Sequence, residues 1–412
     1  MNEENTLTKN TVIKSFLYKF IERFAVKGIG LLISIILARL LEPQVFGFVA
    51  ILNIFISLST SFVQSGLNTA LIQNKTVDNI DYSTVFYISF ALAMVFILII
   101  NLIAPIIAKF YENLELVLPL RVFSFSLLIG AFNSVQVAKA TREMRFRAMM
   151  ICSLVSTVLS GVVGIILALL GFGLWALVVY TMVQELLYSI VLLMFSRWLP
   201  EFCFSKKRAK ELFGYGWKLL VSSILCNIYS DIRTLIIGKR FSPSDLAFYN
   251  RGDQFPSSIT VALNSAIQSV MLPVLSNYQD SKERLYYSLK QSISLSSILI
   301  LPAMFGLSAV SRPLVLTILG EKWSNSIVYL QILSFAYGAI PFSSPALIAI
   351  QATGRSDIYL TLEIKRRIIM VIILAISVFC FDSIIAIAVC YVISSWIDVA
   401  IVINEEKKLV GY

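Results

Sequence analysis

The chain has 412 residues, of which 58% are hydrophobic and only 14% charged, against roughly 25% charged in an ordinary soluble domain. Apolar runs of about 20 residues recur along its whole length, enough to cross a ~30 Å hydrocarbon layer, so a soluble globule is excluded. The short alternating strands of a β-barrel are not found either. The formal net charge of +10 lies mostly in short segments between the apolar runs. There, basic residues orient a protein in the bilayer and meet anionic headgroups, so the charge is not read as nucleic-acid affinity.

In chain order, a polar and partly basic tail with Glu3 and Glu4 leads into a first span at about 17–41. The apolar run after Lys27 continues without a small-residue cleavage site, so the first span itself is expected to direct insertion. Further spans are expected at 44–70, 82–109 and 116–138, followed by a basic turn from Lys139 to Arg147. Spans at 148–170 and 173–196 are separated only by Gly171-Phe172-Gly173, which fits a tight hairpin turn. The segment 197–212 is the longest polar interruption and carries Lys206-Lys207-Arg208. Six more spans fall near 213–238, 252–276, 287–310, 325–350, 358–380 and 382–403.

This organisation predicts an all-α polytopic membrane protein of about twelve spans: a six-helix bundle over 1–196, a cytoplasmic linker over 197–212 and a second bundle over 213–412. With both termini inside, the tails and alternate loops collect about 25 of the 34 Lys and Arg, against about eight outside, an asymmetry that sets orientation. The inner set includes Arg366 and Arg367; the outer set includes Arg39, Arg251 and Lys322.

The two halves echo each other. Residues 237–272 repeat the plan of 37–73, placing Pro43 on Pro243, Arg39 on Lys239 and Phe48 on Phe248 without a gap. A second echo pairs 118–130 with 328–340, with Ser124-Phe125 over Ser334-Phe335. Duplicated halves around a central site are a transporter architecture.

The chain contains no histidine, which removes His-based triads, His general bases and His metal sites. No GxxxxGK[ST] is present, so ATP is not bound through a P-loop. The five cysteines lack CxxC spacing and lie mostly in apolar runs, as buried, inert thiols do. Neither a metal site nor a bound cofactor is expected.

Charges inside spans are then the informative residues, because an ionisable group at bilayer depth is costly and usually faces a cavity. Arg23 and Lys27 share one face of the first span, either snorkelling to the cytoplasmic headgroups or forming a cationic mouth. In the seventh, Asp231 and Arg233 point away from each other and each needs a partner or a wet lumen elsewhere. Glu185 and Asp398 are lone acids in apolar surroundings, candidates for ion coupling or for pairing with Arg233 or Arg23. Amides such as Asn133, Gln136 and Gln268 more often join helices than touch a substrate.

Leu37-Ala38-Arg39-Leu40-Leu41 with Phe46-Gly47, and Gly66 to Gln73, resemble the Wzx-type polysaccharide exporters, as do Phe248-Tyr249-Asn250-Arg251 and Leu319-Gly320-Glu321-Lys322-Trp323. The resemblance points to the branch with colanic acid and teichuronic acid exporters, within the superfamily of multidrug, oligosaccharidyl-lipid and polysaccharide transporters. It implies two six-helix bundles around a cavity that opens alternately to either face. The implied substrate is an undecaprenyl-diphosphate-linked oligosaccharide, moved to the outer leaflet and driven by an H+ or Na+ gradient. Arg23, Lys27 and Arg233 would suit its diphosphate; Glu185, Asp231 and Asp398 are candidate coupling acids. Arg39 and Arg251 fall in family-like motifs near outer span ends, as a gate or as helix-end anchors. Some members carry extra helices after the twelfth; with the chain ending at Tyr412, a lipid-groove role for such helices is not carried over. The implied partners are the lipid-linked substrate, membrane lipids and other polysaccharide-assembly proteins. The rival readings are an ion-coupled multidrug antiporter of the same fold and a membrane enzyme or scaffold of polysaccharide assembly.

Overall fold

The computed structural model describes residues 9–64, 66–74, 77–277, 281–352 and 356–410. Every regular element among them is helical: α1 (Lys9–Leu40), α2 (Pro43–Gln64), α3 (Leu67–Gln73), α4 (Asn79–Phe110), α5 (Val117–Ser124), α6 (Ser126–Arg142), α7 (Phe146–Leu169), α8 (Leu174–Ser196), α9 (Lys206–Arg240), α10 (Pro243–Asn277), α11 (Lys282–Ala309), α12 (Ser311–Ile318), α13 (Ser326–Tyr337), α14 (Ile340–Ala352), α15 (Ser356–Cys380) and α16 (Ile384–Val410). Short 3-10 turns occupy Leu114–Leu116 and Glu321–Trp323. Eight helical stretches are long and apolar enough to cross a membrane. Helices α1, α9, α10 and α15, of 32, 35, 35 and 25 residues, have the length to do so.

By backbone packing the chain divides into Met1–Lys239 and Arg240–Tyr412. In this conformation α9 therefore packs with the first unit, although the sequence repeat counts it as the first helix of the second half.

The repeat is visible in the elements themselves. Helix α1 stops at Leu40 and α2 starts at Pro43; α9 stops at Arg240 and α10 starts at Pro243. Proline at the first helical position is pre-set in φ and has no N–H to leave unpaired. Ser242 and Asp245 cap α10 reciprocally: the Asp245 N–H donates to Ser242 Oγ at 3.1 Å and the Ser242 N–H to Asp245 Oδ2 at 3.3 Å. In the first unit α2 packs on α4, α5 and α6; in the second, α10 packs on α11, α13 and α14. Helices α7 and α8 form a hairpin, as α15 and α16 do. Pro105 lies inside α4 and Pro302 inside α11, each near the C-terminal end.

Side chains repeat as well. Phe48 on α2 shares a core cluster with Leu116 of the first 3-10 turn. Phe248 on α10 meets the fully buried Trp323 of the second turn edge-on, with ring centroids 6.0 Å apart.

Four expected boundaries change. The span expected over 44–70 breaks at Gly66, whose φ of 65° is left-handed, a conformation glycine adopts without a Cβ penalty. The span expected over 116–138 breaks at Phe125 and then runs on to Arg142, so the start of the basic turn is the last turn of α6. There Lys139 and Arg142 complement the helix dipole. The echoed span in the second unit breaks about one turn later in register, between Tyr337 and Ile340. The span expected over 252–276 begins at Pro243, which puts Arg251 in the third turn of a helix rather than in an outer loop. Of the four cysteines whose side chains are described, only Cys152 is buried, and Cys380, at the end of α15, is exposed.

Candidate substrate and coupling sites

In the first unit, α2 carries Asn53, Ser57, Ser61 and Gln64 at helical spacing, a polar stripe on an otherwise apolar helix. Helix α9 answers with Ser223, Asn227 and Asp231, each four residues apart. The stripes meet: Ser57 Oγ donates to Asp231 Oδ2 at 3.1 Å, and Asn227 Nδ2 donates to Ser61 Oγ at 2.6 Å. The Asp231 carboxyl group is thus held between α2 and α9. Arg233, two residues on, is half-buried, and Lys27 on α1 is exposed. The Arg23 side chain lies outside the described residues. Arg39, in the last turn of α1, is exposed.

Glu185 is half-buried on α8. Asn133 of α6 donates to the Glu185 backbone carbonyl at 3.2 Å, while the buried Asn133 Oδ1 has no hydrogen-bond partner among the described residues.

Asp398 has a different setting from the one expected. It lies buried on α16 and is gripped by Arg366 of α15, whose Nη2 donates to Asp398 Oδ2 at 2.8 Å and whose Nε also bonds the carboxylate. The same guanidinium pairs with Glu363, one turn before it on α15. The partner that the structure gives Asp398 is Arg366, a basic residue expected at the cytoplasmic surface. Arg366 lies ten residues into α15, about 15 Å along the axis, and reaches a neighbouring helix rather than water.

Arg251 is also buried. Its guanidinium lies 5.3 Å from the centre of the Trp323 ring and donates to Gln254 Oε1 at 2.6 Å. Two motifs distant in the chain, Phe248 to Arg251 and Leu319 to Trp323, therefore pack on each other. Next to them Gly252 lies so close to α13 that an added Cβ would stand 2.8 Å from the Leu330 backbone nitrogen. Asp253 accepts from the Tyr337 hydroxyl at 3.0 Å.

The polar segment after α8 is not a free strap. Trp198 is buried against Tyr82 and Phe86, and the Glu201 N–H donates to Ser83 Oγ at 3.0 Å. Arg208 bridges Asp81 at 2.6 Å and Asp78 at 3.1 Å, the two residues that cap α4. At the other end of α9, Lys239 Nζ lies 3.1 Å from Glu112. Helix α9 is held to the first unit at both ends and in the middle. Only the Lys206-Lys207-Arg208 cluster hinted at this in the sequence; the acidic partners more than 120 residues upstream did not.

The comparisons with known proteins agree with this architecture. The family described as "Polysaccharide biosynthesis protein" matches residues 36–328. The succinoglycan biosynthesis transport protein ExoT of Rhizobium meliloti (strain 1021) is 26% identical over 353 residues, covering 86% of this chain and 72% of ExoT. Among solved structures, the lipid II flippase MurJ in an inward closed conformation superposes with a TM-score of 0.73 at 14% identity, over 96% of this chain and 90% of MurJ. An inward-facing multidrug resistance MATE family transporter of the MOP superfamily gives 0.71 at 16% identity, over 96% and 98%. At these identities the two structures establish the fold alone.

Proposed function

This chain belongs to the polysaccharide biosynthesis protein family, and we propose that it is a flippase. In this reading it carries an undecaprenyl-diphosphate-linked oligosaccharide across the cytoplasmic membrane of a bacterium by alternating access, with both termini in the cytoplasm. The observation that carries the reading is the kinship, over 86% of this chain and 72% of the relative, with a protein named as a transport protein of succinoglycan biosynthesis, in a fold with helices long and apolar enough to cross a membrane and polar contacts between α2 and α9.

Arg23, Lys27 and Arg233 are the groups we assign to the diphosphate, since guanidinium and ammonium neutralise phosphate and donate to its oxygens. Arg39 and Arg251 stay in the proposal as outer gate or anchor residues. Ion coupling, by H+ or Na+, is assigned to Asp231 and Glu185, with Asp398 as the third acid. A deprotonated Asp231 keeps its hydrogen bond from Ser57, whereas a protonated one can release it, which ties ion occupancy to the α2–α9 contact. Other polysaccharide-assembly proteins are the expected partners on either side of the membrane.

Translocation of a fluorescent undecaprenyl-diphosphate oligosaccharide in proteoliposomes tests the reading. Wild-type flipping that is lost in well-folded Arg233→Ala and Lys27→Ala variants supports both the function and the cationic site. Flipping that survives both substitutions keeps the function and removes the site. The MATE-like fold makes one other outcome specific: no flipping of several glycans, with gradient-driven efflux of a cationic dye, would identify a drug antiporter instead.

A further inference from the structure

The second unit contains an apolar cavity of about 150 Å³ where its tenth span breaks between α13 and α14. Its walls are Leu301, Met304 and Phe305 of α11, Phe335 and Phe342 on either side of the break, and Trp396 of α16. Two aromatic pairs shape it: Phe305 meets Phe335 edge-on at 5.6 Å, and Phe342 lies 5.9 Å from Trp396. The one polar side chain in the wall, Ser334, donates its hydroxyl to the Leu330 carbonyl at 2.7 Å, and the lining presents no polar surface. Such a cavity does not hold water; an apolar cavity of this size stays dry and takes a benzene-sized group.

Its depth and its rim bear on what fills it. Trp396 lies twelve residues into α16, about 18 Å along the axis and near the middle of a ~30 Å hydrocarbon layer. Phe305, Phe335 and Trp396 are all exposed, so the cavity opens at the surface among large apolar side chains. At the echoed position in the first unit, Ser124 accepts a hydrogen bond from Asn101 Nδ2 at 3.4 Å.

We propose that this cavity seats one isoprene unit of the polyprenyl chain of the transported lipid. The inference rests on the flippase reading above and extends it to the lipid tail. An isoprene unit is a flat, methyl-branched group of five carbons, close to benzene in size. Its planar double bond suits a slot between aromatic faces, where many small dispersion contacts add up. A straight saturated acyl chain has neither the branch nor the flat unit to fill such a space.

The test uses the full chain in lipid nanodiscs, a photoreactive polyprenyl phosphate, a photoreactive phosphatidylglycerol labelled on its acyl chain, and peptide mapping of the crosslinks. The expected result is polyprenyl labelling on α11, α13 or α16 around the cavity. Unlabelled undecaprenyl phosphate should compete it away, and equal phosphatidylglycerol should not. Ser334→Leu, which fills the cavity at the loss of one intrahelical hydrogen bond, should cut labelling roughly tenfold, the order seen for a misfit in an apolar pocket. Equal labelling by both probes, no labelling there, or labelling untouched by a folded Ser334→Leu variant overturns the site. Should that variant lose its fold, the comparison of the two probes on the wild type decides alone. Flipping by the wild type without polyprenyl labelling at the cavity removes this site and leaves the flippase reading; specific labelling in a protein that does not flip does the reverse.

Discussion

Arg366 stands between two carboxylates, Asp398 and Glu363, with its side chain only 13% exposed. Removing one member of a buried charge pair costs about 3–5 kcal/mol because the remaining charge is left uncompensated. Arg366→Ala leaves the buried Asp398 without this guanidinium, while Glu363 keeps Arg367 at 3.4 Å, and should reach that range. Asp398→Ala leaves the guanidinium still paired with Glu363 and should cost less. Thermal unfolding in detergent, run on both variants, checks the order. Gly252 supports a second prediction at this scale. Since a Cβ there would meet the backbone of Leu330 rather than a movable side-chain tip, Gly252→Ala should destabilise by about 1–3 kcal/mol, the usual cost of overpacking. Unfolding midpoints of Gly252→Ala against Gly306→Ala, where an added Cβ meets nothing within 4 Å, would show the contrast.

Helix α9 is tied to the first unit by polar contacts along its length. Arg208 ties its start to the capping acids of α4, Asp231 and Asn227 tie its middle to α2, and Lys239 ties its end to Glu112. The Ser57–Asp231 hydrogen bond should show a coupling of about 0.6 kcal/mol in a double-mutant cycle with Ser57→Ala and Asp231→Asn, as interhelical hydrogen bonds in membranes do on average. The start of α9 is accessible to solution chemistry. Replacing Arg208 by Gln frees Asp78 and Asp81, and trypsin should then cut faster after Lys206 and Lys207. High salt should speed cleavage of the wild type in the same direction, because it screens the partly exposed pair. Equal cleavage in both proteins would show that Trp198 alone holds the segment down.

For the whole molecule, duplication explains why so many features come in pairs, and departures from it mark where the halves have diverged. The last residue of the 3-10 turn is Leu116 in the first unit and Trp323 in the second, and Ile51 aligns with Arg251. If transport draws on an ion gradient, neutralising the coupling acid should leave downhill binding intact and abolish gradient-dependent flipping. Glu185→Gln and Asp231→Asn test this directly in proteoliposomes with an imposed pH or sodium gradient. Asp398→Asn alone also strips Arg366 of a partner, so it should be read beside Asp398→Asn combined with Arg366→Gln. Intact gradient dependence in all of these variants would refute the assignment.

The sequence by itself determined the membrane class, most of the spans and the internal repeat. Those properties are local: a 20-residue apolar run, a Gly-Phe-Gly turn, or a proline at the first position of a helix carries its meaning without reference to the rest of the chain. Where polar residues crowded the start of a helix, as with Arg251, Asp253 and Gln254 in α10, apolar patterning missed three turns that proline and a capping pair had begun. Only the tertiary structure decided which charge answers which. Asp398 and Arg366 are 32 residues apart, and Ser57 and Asp231 are 174 apart. Whether a lone intramembrane charge is a partner or a site depends on what packs against it, and packing brings together segments that share no sequence signal. The same holds for the apolar cavity: an empty volume belongs to no residue and exists only once four helices have taken their places around it.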